Sequence, residues 1–421
     1  MNVRKLALEA IVKIIDKKAY SNIVVNEYLS KFELNSEDRA LFTNIVYGTI
    51  QNLLTIDYYL EPYISKKKQK CWVKCLLYLS AYQIIYLDIP EYAIVNEAVA
   101  IANIKDRSIG SFVNAVLRNL LRNPLRSLEG LDEINYLSIK YSHPAWLVAY
   151  FLKDYDYETV EKILIENSNV KDGAIRVNTL KATKEEVMNT LTEEGIPFSD
   201  TDLVKNGLII YNNITRNELL TSGKITVQDI SSQMVAEVAN PFENAKILDL
   251  CSAPGGKVAH LASIMNNTGT IFACDIYSHK IKLMEKSFAR LGVKNVKTQL
   301  IDARNISNYV KEESFDYCLA DAPCSGLGVL SHKVDLKYNI DLKSIEEVEY
   351  LQKEILDATC NLVKHGGYYI YSTCTINKDE NEKQIAKFIQ KHPEFEIVEE
   401  RKILPFEYHI DGFYICKMRR N

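Results

Sequence analysis

Along the first 130 residues apolar positions recur at helical spacing, and strand-like alternation is nearly absent. Leu8, Ile11, Val12 and Ile15 fall at i, i+3, i+4 and i+7, one face of a helix. Asn35-Ser36-Glu37-Asp38 reads as a helix start with acidic residues in its first turn, which predicts a helix over 39–51. Residues 73–87 are apolar nearly all round, as a central buried helix is, and Asp88-Ile89-Pro90 breaks them off. Residues 95–104 and 112–121 supply two more helices, so this part predicts a small all-α bundle. The pattern then changes. Ser142-His143-Pro144 opens a further helix, with His143 in a structural role. Alternating stretches at 174–178, 207–211 and 222–229 predict strands, and Thr183 with Glu186 forms a capping box before a helix at 187–191 that Gly195 and Pro197 end. Residues 228–233 read as a loop entering a helix with a serine as its cap. This mixture predicts a small α+β platform. From 231 onward, apolar runs at 245–250, 270–275, 296–302, 315–321 and 368–373 alternate with helical stretches, the pattern of a parallel sheet wrapped by helices. Three parts are therefore expected: 1–130, 131–230 and 231–421.

Composition changes this picture little. The chain has 421 residues, 47% hydrophobic and 25% charged, as in ordinary globular proteins. Its net charge of −4 is uneven: residues 1–130 carry 17 Lys+Arg against 13 Asp+Glu, or +4, which leaves −8 for the rest. A basic amino-terminal part suggests a module that meets a polyanion. Lys66, Lys67, Lys68 and Lys70 form one basic run, and Arg118 and Arg122 lie four apart on one helix face. Either could hold phosphate, and either could be a solvated surface. Nine cysteines show no Cys-x-x-Cys pair and no spacing suited to zinc. An odd count in a chain this long argues against a disulfide framework and for a reducing, cytoplasmic setting. The first residues begin an amphipathic segment rather than a signal peptide, and no apolar run reaches membrane-spanning length.

The candidate chemistry is concentrated in the third part. Between a buried strand at 245–250 and a helix at 258–265 lies Asp249-Leu-Cys-Ser-Ala-Pro-Gly-Gly-Lys257. A strand, a tight turn and a helix start form a ligand crevice at the carboxyl end of the strand, and two glycines let the backbone approach a ligand. The turn is neither Gly-x-Gly-x-x-Gly nor a Walker loop, which disfavours dinucleotides and nucleoside triphosphates. Taken alone it could be a plain strand-to-helix connection. Asp275, Asp302 and Asp321 then end successive strands. A carboxylate after the second strand suits a ribose diol, so the three together point to a nucleoside-bearing ligand. Cys324 in Asp321-Ala-Pro-Cys-Ser-Gly326 and Cys374 in Tyr371-Ser-Thr-Cys-Thr375 both lie where a strand gives way to a loop, among polar neighbours. Cys274, Cys318 and Cys360 read as inert buried thiols.

These three motifs together closely resemble those of the RNA cytosine-C5 methyltransferase family, which uses S-adenosylmethionine. The likeness continues through Leu351-Gln352 to Asn381-Glu382 and to Asp411-Gly-Phe-Tyr414. In the first part, residues 39–48, 89–98 and 112–119 resemble the NusB-type RNA-binding helical domain, in the version fused to bacterial ribosomal RNA methyltransferases. Nearly the whole chain resembles the members of the family that act on 16S ribosomal RNA. The loop at 331–337 departs from them, because it lacks arginines expected there, which touches RNA contact rather than the reaction.

The resemblance implies an all-α NusB-like bundle, a small α+β RNA-binding extension and a Rossmann-like class I methyltransferase domain. It implies that Cys251, Ser252, Ala253, Pro254, Gly255, Gly256 and Lys257, with Asp275, Asp302 and Asp321, bind S-adenosylmethionine, and that Asp321 also touches the cytosine. Lys257 either holds the turn or meets the cofactor's carboxylate. Spacing does not decide which thiol attacks: DNA cytosine-C5 enzymes use the Pro-Cys cysteine, here Cys324. The RNA family implies Cys374 as nucleophile and Cys324 in product release. It further implies a monomeric, cytoplasmic enzyme without a metal, acting on 16S RNA, free or in an early assembly particle, at a position like cytosine 967. DNA and membranes are not expected partners.

The chemistry explains why cysteines are needed. Carbon 5 of cytosine is a poor nucleophile, and addition of a thiolate at carbon 6 makes it enamine-like. Two other readings remain at this point: a tRNA or DNA cytosine methyltransferase, and a non-catalytic RNA-binding assembly or antitermination factor with a vestigial catalytic domain.

Overall fold

The computed structural model describes residues 2–64, 69–212, 214 and 217–421, so Lys66, Lys67 and Lys68 lie outside the described residues. The chain divides into two compact units, one of residues 1–169 with 330–340 and one of 170–329 with 341–421. Among the described residues no helix is long and apolar enough to cross a membrane.

The first unit is helical. Helices Val3–Lys17, Ser36–Gln51, Cys71–Tyr86, Glu91–Asn103 and Arg107–Arg122 realise the apolar periodicity of the sequence. Asn35 caps its helix by accepting from the Asp38 backbone N–H at 2.7 Å, which satisfies one of the donors a helix start leaves open. Cys75 through Gln83 are all buried, so the helix Cys71–Tyr86 is the central one. Its polar members turn inward on their own backbone: Ser80 donates to the Leu76 carbonyl at 2.7 Å and Gln83 to that of Leu79 at 2.8 Å. Helices Glu133–Lys140, Ala145–Phe151 and Tyr157–Ser168 belong to the same unit. So do residues 330–340, which arrive from far along the sequence. Val334 and Tyr338 join the apolar cluster of this unit. Asp335 accepts from the Ser21 backbone at 3.2 Å and from its hydroxyl. Lys337, fully buried, donates to the Gln51 carbonyl at 2.9 Å. The segment noted for its missing arginines is thus a packed one.

The second unit holds two sheets. The smaller is antiparallel, with β1 (Gly173–Val177), β2 (Phe198–Asp200), β3 (Gly207–Ile210) and β4 (Ile225–Val227) in the order β2-β3-β1-β4. The capping box is present: Thr183 accepts from the Glu186 N–H at 3.2 Å, and Glu186 accepts from the Thr183 N–H at 2.8 Å. Helix Ile230–Ala239 follows, but its cap is Asp229 rather than a serine, accepting from the Ser231 N–H at 2.8 Å.

The larger sheet comprises β5 (Lys246–Asp249), β6 (Thr270–Asp275), β7 (Val296–Leu300), β8 (Phe315–Asp321), β9 (Val363–Thr373), β10 (Phe395–Ile403) and β11 (Phe413–Arg420). Their order is β10-β11-β9-β8-β5-β6-β7. The five strands expected to be parallel are parallel. The sheet as a whole is mixed, however, because β11 runs antiparallel to both β9 and β10. Parallel strands buried on both faces read as apolar runs, and at the centre of this sheet the successive residues Ile247 and Leu248 are both fully buried. Edge strand β10 is mostly exposed and presents Glu396, Glu400, Arg401 and Lys402 to solvent, which discourages pairing with another chain.

Candidate active site

The site is built along the carboxyl ends of four adjacent strands. Asp249 ends β5, Asp275 ends β6, Asp302 follows β7 and Asp321 ends β8, the edge where open α/β sheets bind ligands. Register sets the row: Asp249 pairs with Ala273 and Leu319, Asp275 with Leu300, and Asp321 with Ser372 of β9.

The turn after β5 is fixed from within. The Asp249 carboxylate accepts from the Cys251 N–H at 3.3 Å, and Ser252 donates its hydroxyl to the Asp249 carbonyl at 3.0 Å and its N–H to the Cys274 carbonyl at 2.9 Å. The Ala253–Pro254 peptide bond is cis. Gly255 has φ +98°, and a Cβ there would lie 2.9 Å from the Phe288 ring. Packing behind the turn and a left-handed backbone therefore require glycine at 255, reasons additional to close approach of a ligand. Burial and the neighbouring Asp321 raise Asp249 to about 7. Burial, then the surrounding carboxylates, push the Cys251 thiol well up, which leaves it a protonated, unreactive group.

The other aspartates are engaged differently. Asp275 accepts from the Tyr277 N–H at 2.9 Å, with the Lys280 ammonium 3.9 Å away. Asp302 caps the turn at 303–308 and binds the Arg304 guanidinium, closest at 2.7 Å, which holds its carboxyl below the ordinary range. Arg304 reaches on to Glu354 at 3.0 Å. Asp321 accepts from Lys257 at 2.6 Å on one oxygen and from the Ser372 hydroxyl at 2.8 Å on the other. Burial acts to lower the Lys257 pKa, but Asp321, and beyond it Cys374 and Asp249, hold it above its ordinary value. Lys257 is therefore a partly buried ammonium kept charged by its partner.

Cys324 and Cys374 meet in the same place, sulfur to sulfur at 3.3 Å. The bond to Cys374, then burial, then the negative groups Glu380 and Asp321 push the Cys324 thiol well up. Either sulfur can donate in this contact, and these causes together disfavour the Cys324 thiolate. An ammonium within electrostatic reach of Cys374 favours its thiolate. The structure brings together Lys257, Asp321, Cys324 and Cys374. Asp275 and Asp302 sit two and three strands along from Asp321 on the same edge. Cys274, Cys318 and Cys360 are buried in the core.

Sequence reading missed Ser372, which orients Asp321, and Arg304, which occupies Asp302. It also missed Glu380, Gln352 and Asn377, a buried polar group beneath the two thiols. Ser372 is visible in the sequence only as a neighbour of Cys374. In the first unit, Arg118 and Arg122 are exposed on helix Arg107–Arg122. Lys70 lines a depression of about 300 Å³ with Gln69, Val73, Ser108, Ile109 and Phe112.

The donor chemistry suits a sulfonium nucleoside. An acidic row can face a ribose diol at Asp275 and a cationic amino-acid moiety near Asp249 and Asp321, and the turn at 251–257 offers backbone beside them. The residues present fit such a group.

Comparison with known proteins agrees in extent. The model of the 16S rRNA methyltransferase RsmB/F family matches residues 236–419, that of the NusB family residues 1–122, and that of the RsmF/B-like ferredoxin-like domain residues 143–215. A probable ribosomal RNA small subunit methyltransferase B of Bacillus subtilis is 38% identical, over 100% of this chain and 99% of its own. The ribosomal RNA small subunit methyltransferase B of Yersinia pseudotuberculosis is 30% identical, over 99% and 98%. Among solved structures, that of PH0851 superposes with a TM-score of 0.86 at 26% identity, over 100% of this chain and 99% of the other.

Proposed function

The chain belongs to the RsmB/F family of 16S rRNA methyltransferases, and from that premise we propose that it methylates carbon 5 of one cytosine in 16S ribosomal RNA through a covalent adduct between Cys374 and carbon 6. The observation that carries this reading is the thiol pair, 3.3 Å apart, beside the Lys257–Asp321 ion pair at the strand ends. Cys374 is the nucleophile: Lys257 supplies positive charge near its sulfur, and the Cys324 sulfur lies 3.3 Å from it. The target base must leave its stack to reach a thiol at this depth. Asp321 holds Lys257 in place and is the carboxylate nearest the reacting base. S-adenosylmethionine, when bound, supplies an electrophilic methyl group, and Cys251–Lys257, Asp275, Asp302 and Asp321 would hold it. After methylation a base takes the proton from carbon 5, the carbon 5–carbon 6 double bond reforms, and Cys374 leaves as thiolate. Cys324 assists that breakdown.

We assign RNA capture to the NusB-like part and the small sheet, keep the division 1–130, 131–230 and 231–421, and expect a monomer working in the cytoplasm on free 16S RNA or an early assembly particle. Bisulfite maps of 16S RNA from cells with and without the gene test the reaction. Loss of one protected cytosine, with position 967 the first to inspect, is the expected result. No change would shift the search to tRNA, and no methylation of any RNA would favour an RNA-binding assembly factor. The roles of the thiols are tested separately. Cys374→Ala should abolish methylation and adduct together, whereas Cys324→Ala should accumulate a stable protein–RNA adduct. An adduct formed by Cys374→Ala would reverse the assignment.

A further inference from the structure

Glu380 lies in the loop between β9 and helix Glu382–Lys391 and is fully buried. A buried carboxylate is costly unless donors surround it. Here they do: the Ser325 N–H at 2.8 Å, the Ser325 hydroxyl, the Gln352 amide at 2.9 Å and the Asn377 amide at 3.0 Å. Ser325 is the residue after Cys324. Its hydroxyl is also 2.8 Å from that of Thr375, the residue after Cys374. Gln352 adds a bond of 2.8 Å to the carbonyl of Pro323, the residue before Cys324. One carboxylate thus gathers the chain on both sides of one thiol and just beyond the other. The pairing of β8 with β9 ends at Asp321 and Ser372 and that of β11 with β9 at Thr373, and beyond them the Gly328 N–H donates to the Cys374 carbonyl at 3.1 Å, which leaves the chain at Cys324 and Ser325 to side-chain ties. What the Glu380 network fixes is the stretch past the ladder, where the sulfurs meet.

We propose that Glu380 is a positioning residue that sets the distance between Cys324 and Cys374. The proposal rests on the reading of that pair as the reacting thiols. Glu380 touches neither sulfur; it acts through Ser325, Thr375 and Asn377. Its negative charge is also among the groups that disfavour the Cys324 thiolate.

Glu380→Gln keeps the shape, removes the charge and turns an amino group toward groups that are themselves donors. In the full chain with a 16S RNA transcript and S-adenosylmethionine, kcat is expected to fall ~10²-fold with KM for RNA within about twofold, the scale of loss that a misplacement near 1 Å brings. Glu380→Asp, which retains the charge, should recover part of it. A second readout needs no reaction. Dibromobimane, fluorescent once it bridges two thiols, should link Cys324 to Cys374 in the RNA-free protein, and do so about 10-fold more slowly in Glu380→Gln. Peptide mass spectrometry identifies the linked pair, and circular dichroism with melting checks the fold. If Glu380→Gln does not fold, Ser325→Ala removes one arm of the network and decides by the same two readouts. A folded variant with unchanged kcat and unchanged linking rate, or one altered in KM alone, would overturn the proposal. If the unaltered protein methylates no RNA while the linking rate still falls in the variant, the positioning role stands and the methyl-transfer reading fails.

Discussion

Two lysines, one partly and one fully withdrawn from solvent, sit under opposite conditions in this molecule. Lys257, in the second unit, has a carboxylate 2.6 Å away and is held above its ordinary pKa despite burial. Lys337, in the first unit, donates to the Gln51 carbonyl, and burial pushes it well below its ordinary value. Desolvation penalises the charged form in both places, and only a close opposite charge reverses it. The first lysine is an ammonium kept charged by its carboxylate partner. The second has a backbone carbonyl as its partner, and burial disfavours its charged form. Burial of a lysine is therefore not a sign of function by itself; its partner decides.

The largest expected effect comes from removing the charged one. Lys257→Met leaves Asp321 unpaired and takes positive charge from beside Cys374. A fall in kcat of ~10²–10³-fold is expected, the scale seen when one electrostatic partner of a developing or active charge is lost. Methylation assays at saturating RNA measure it, with melting to follow the cost of the stranded carboxylate. Activity within a few-fold of the unaltered protein would show that Lys257, like Lys337, only fills space.

The two regions also differ in how pH acts on them. Asp249 rises from 3.8 to about 7 in the folded crevice, so the folded state binds the extra proton between those values. Stability there is present below about 4 and falls as pH rises toward 7, by about 1.4 kcal/mol per pH unit for a fully shifted group. In the first unit the signs reverse. Burial lowers both His143 and Lys337 well below their ordinary values, so the unfolded chain binds more protons and stability grows as pH rises. Hydrogen exchange followed by region from pH 5 to 8 should show protection around β5 weakening while protection around Gln51 and Ser142 strengthens. Asp249→Asn should flatten the first trend and leave the second unchanged. Parallel trends in the two regions would refute the contrast.

Which parts of this are legible in the sequence follows from how local each signal is. The capping box at Thr183, the five parallel strands and the two cysteine motifs depend on neighbouring residues and are readable. Strand β10 is not, because its residues are mostly charged and exposed and carry no apolar alternation. The placement of 330–340 in the first unit is invisible, since no periodicity within so short a stretch reveals a partner 286 positions away. The cap of helix Ile230–Ala239 falls to Asp229 because it immediately precedes the first helical residue, whereas Ser231 and Ser232 lie within the helix. Asp275, Asp302 and Asp321 can be foreseen as a row because strand ends share an edge. Glu380 cannot, for a glutamate in Lys378-Asp-Glu-Asn381 reads as surface until four donors are seen to converge on it.

The smallest effect on activity belongs to Lys337→Met. The substitution roughly conserves volume and removes a group whose charged form burial disfavours. It also removes the bond to Gln51, and an unmet buried carbonyl costs ~1–3 kcal/mol. Because burial pushes Lys337 well below 10.5, the variant should gain in melting temperature over the unaltered protein as pH falls below that value. That advantage must shrink as pH rises toward 10.5, where the unfolded lysine is itself losing its proton. kcat should stay within about twofold, because a packing change in the first unit leaves the preorganised charges of the second untouched. A variant whose melting temperature, relative to the unaltered protein, rises with pH would mean that Lys337 is charged where it sits. It would then need a counter-charge like the one Asp321 gives Lys257, and the contrast between the two lysines would disappear.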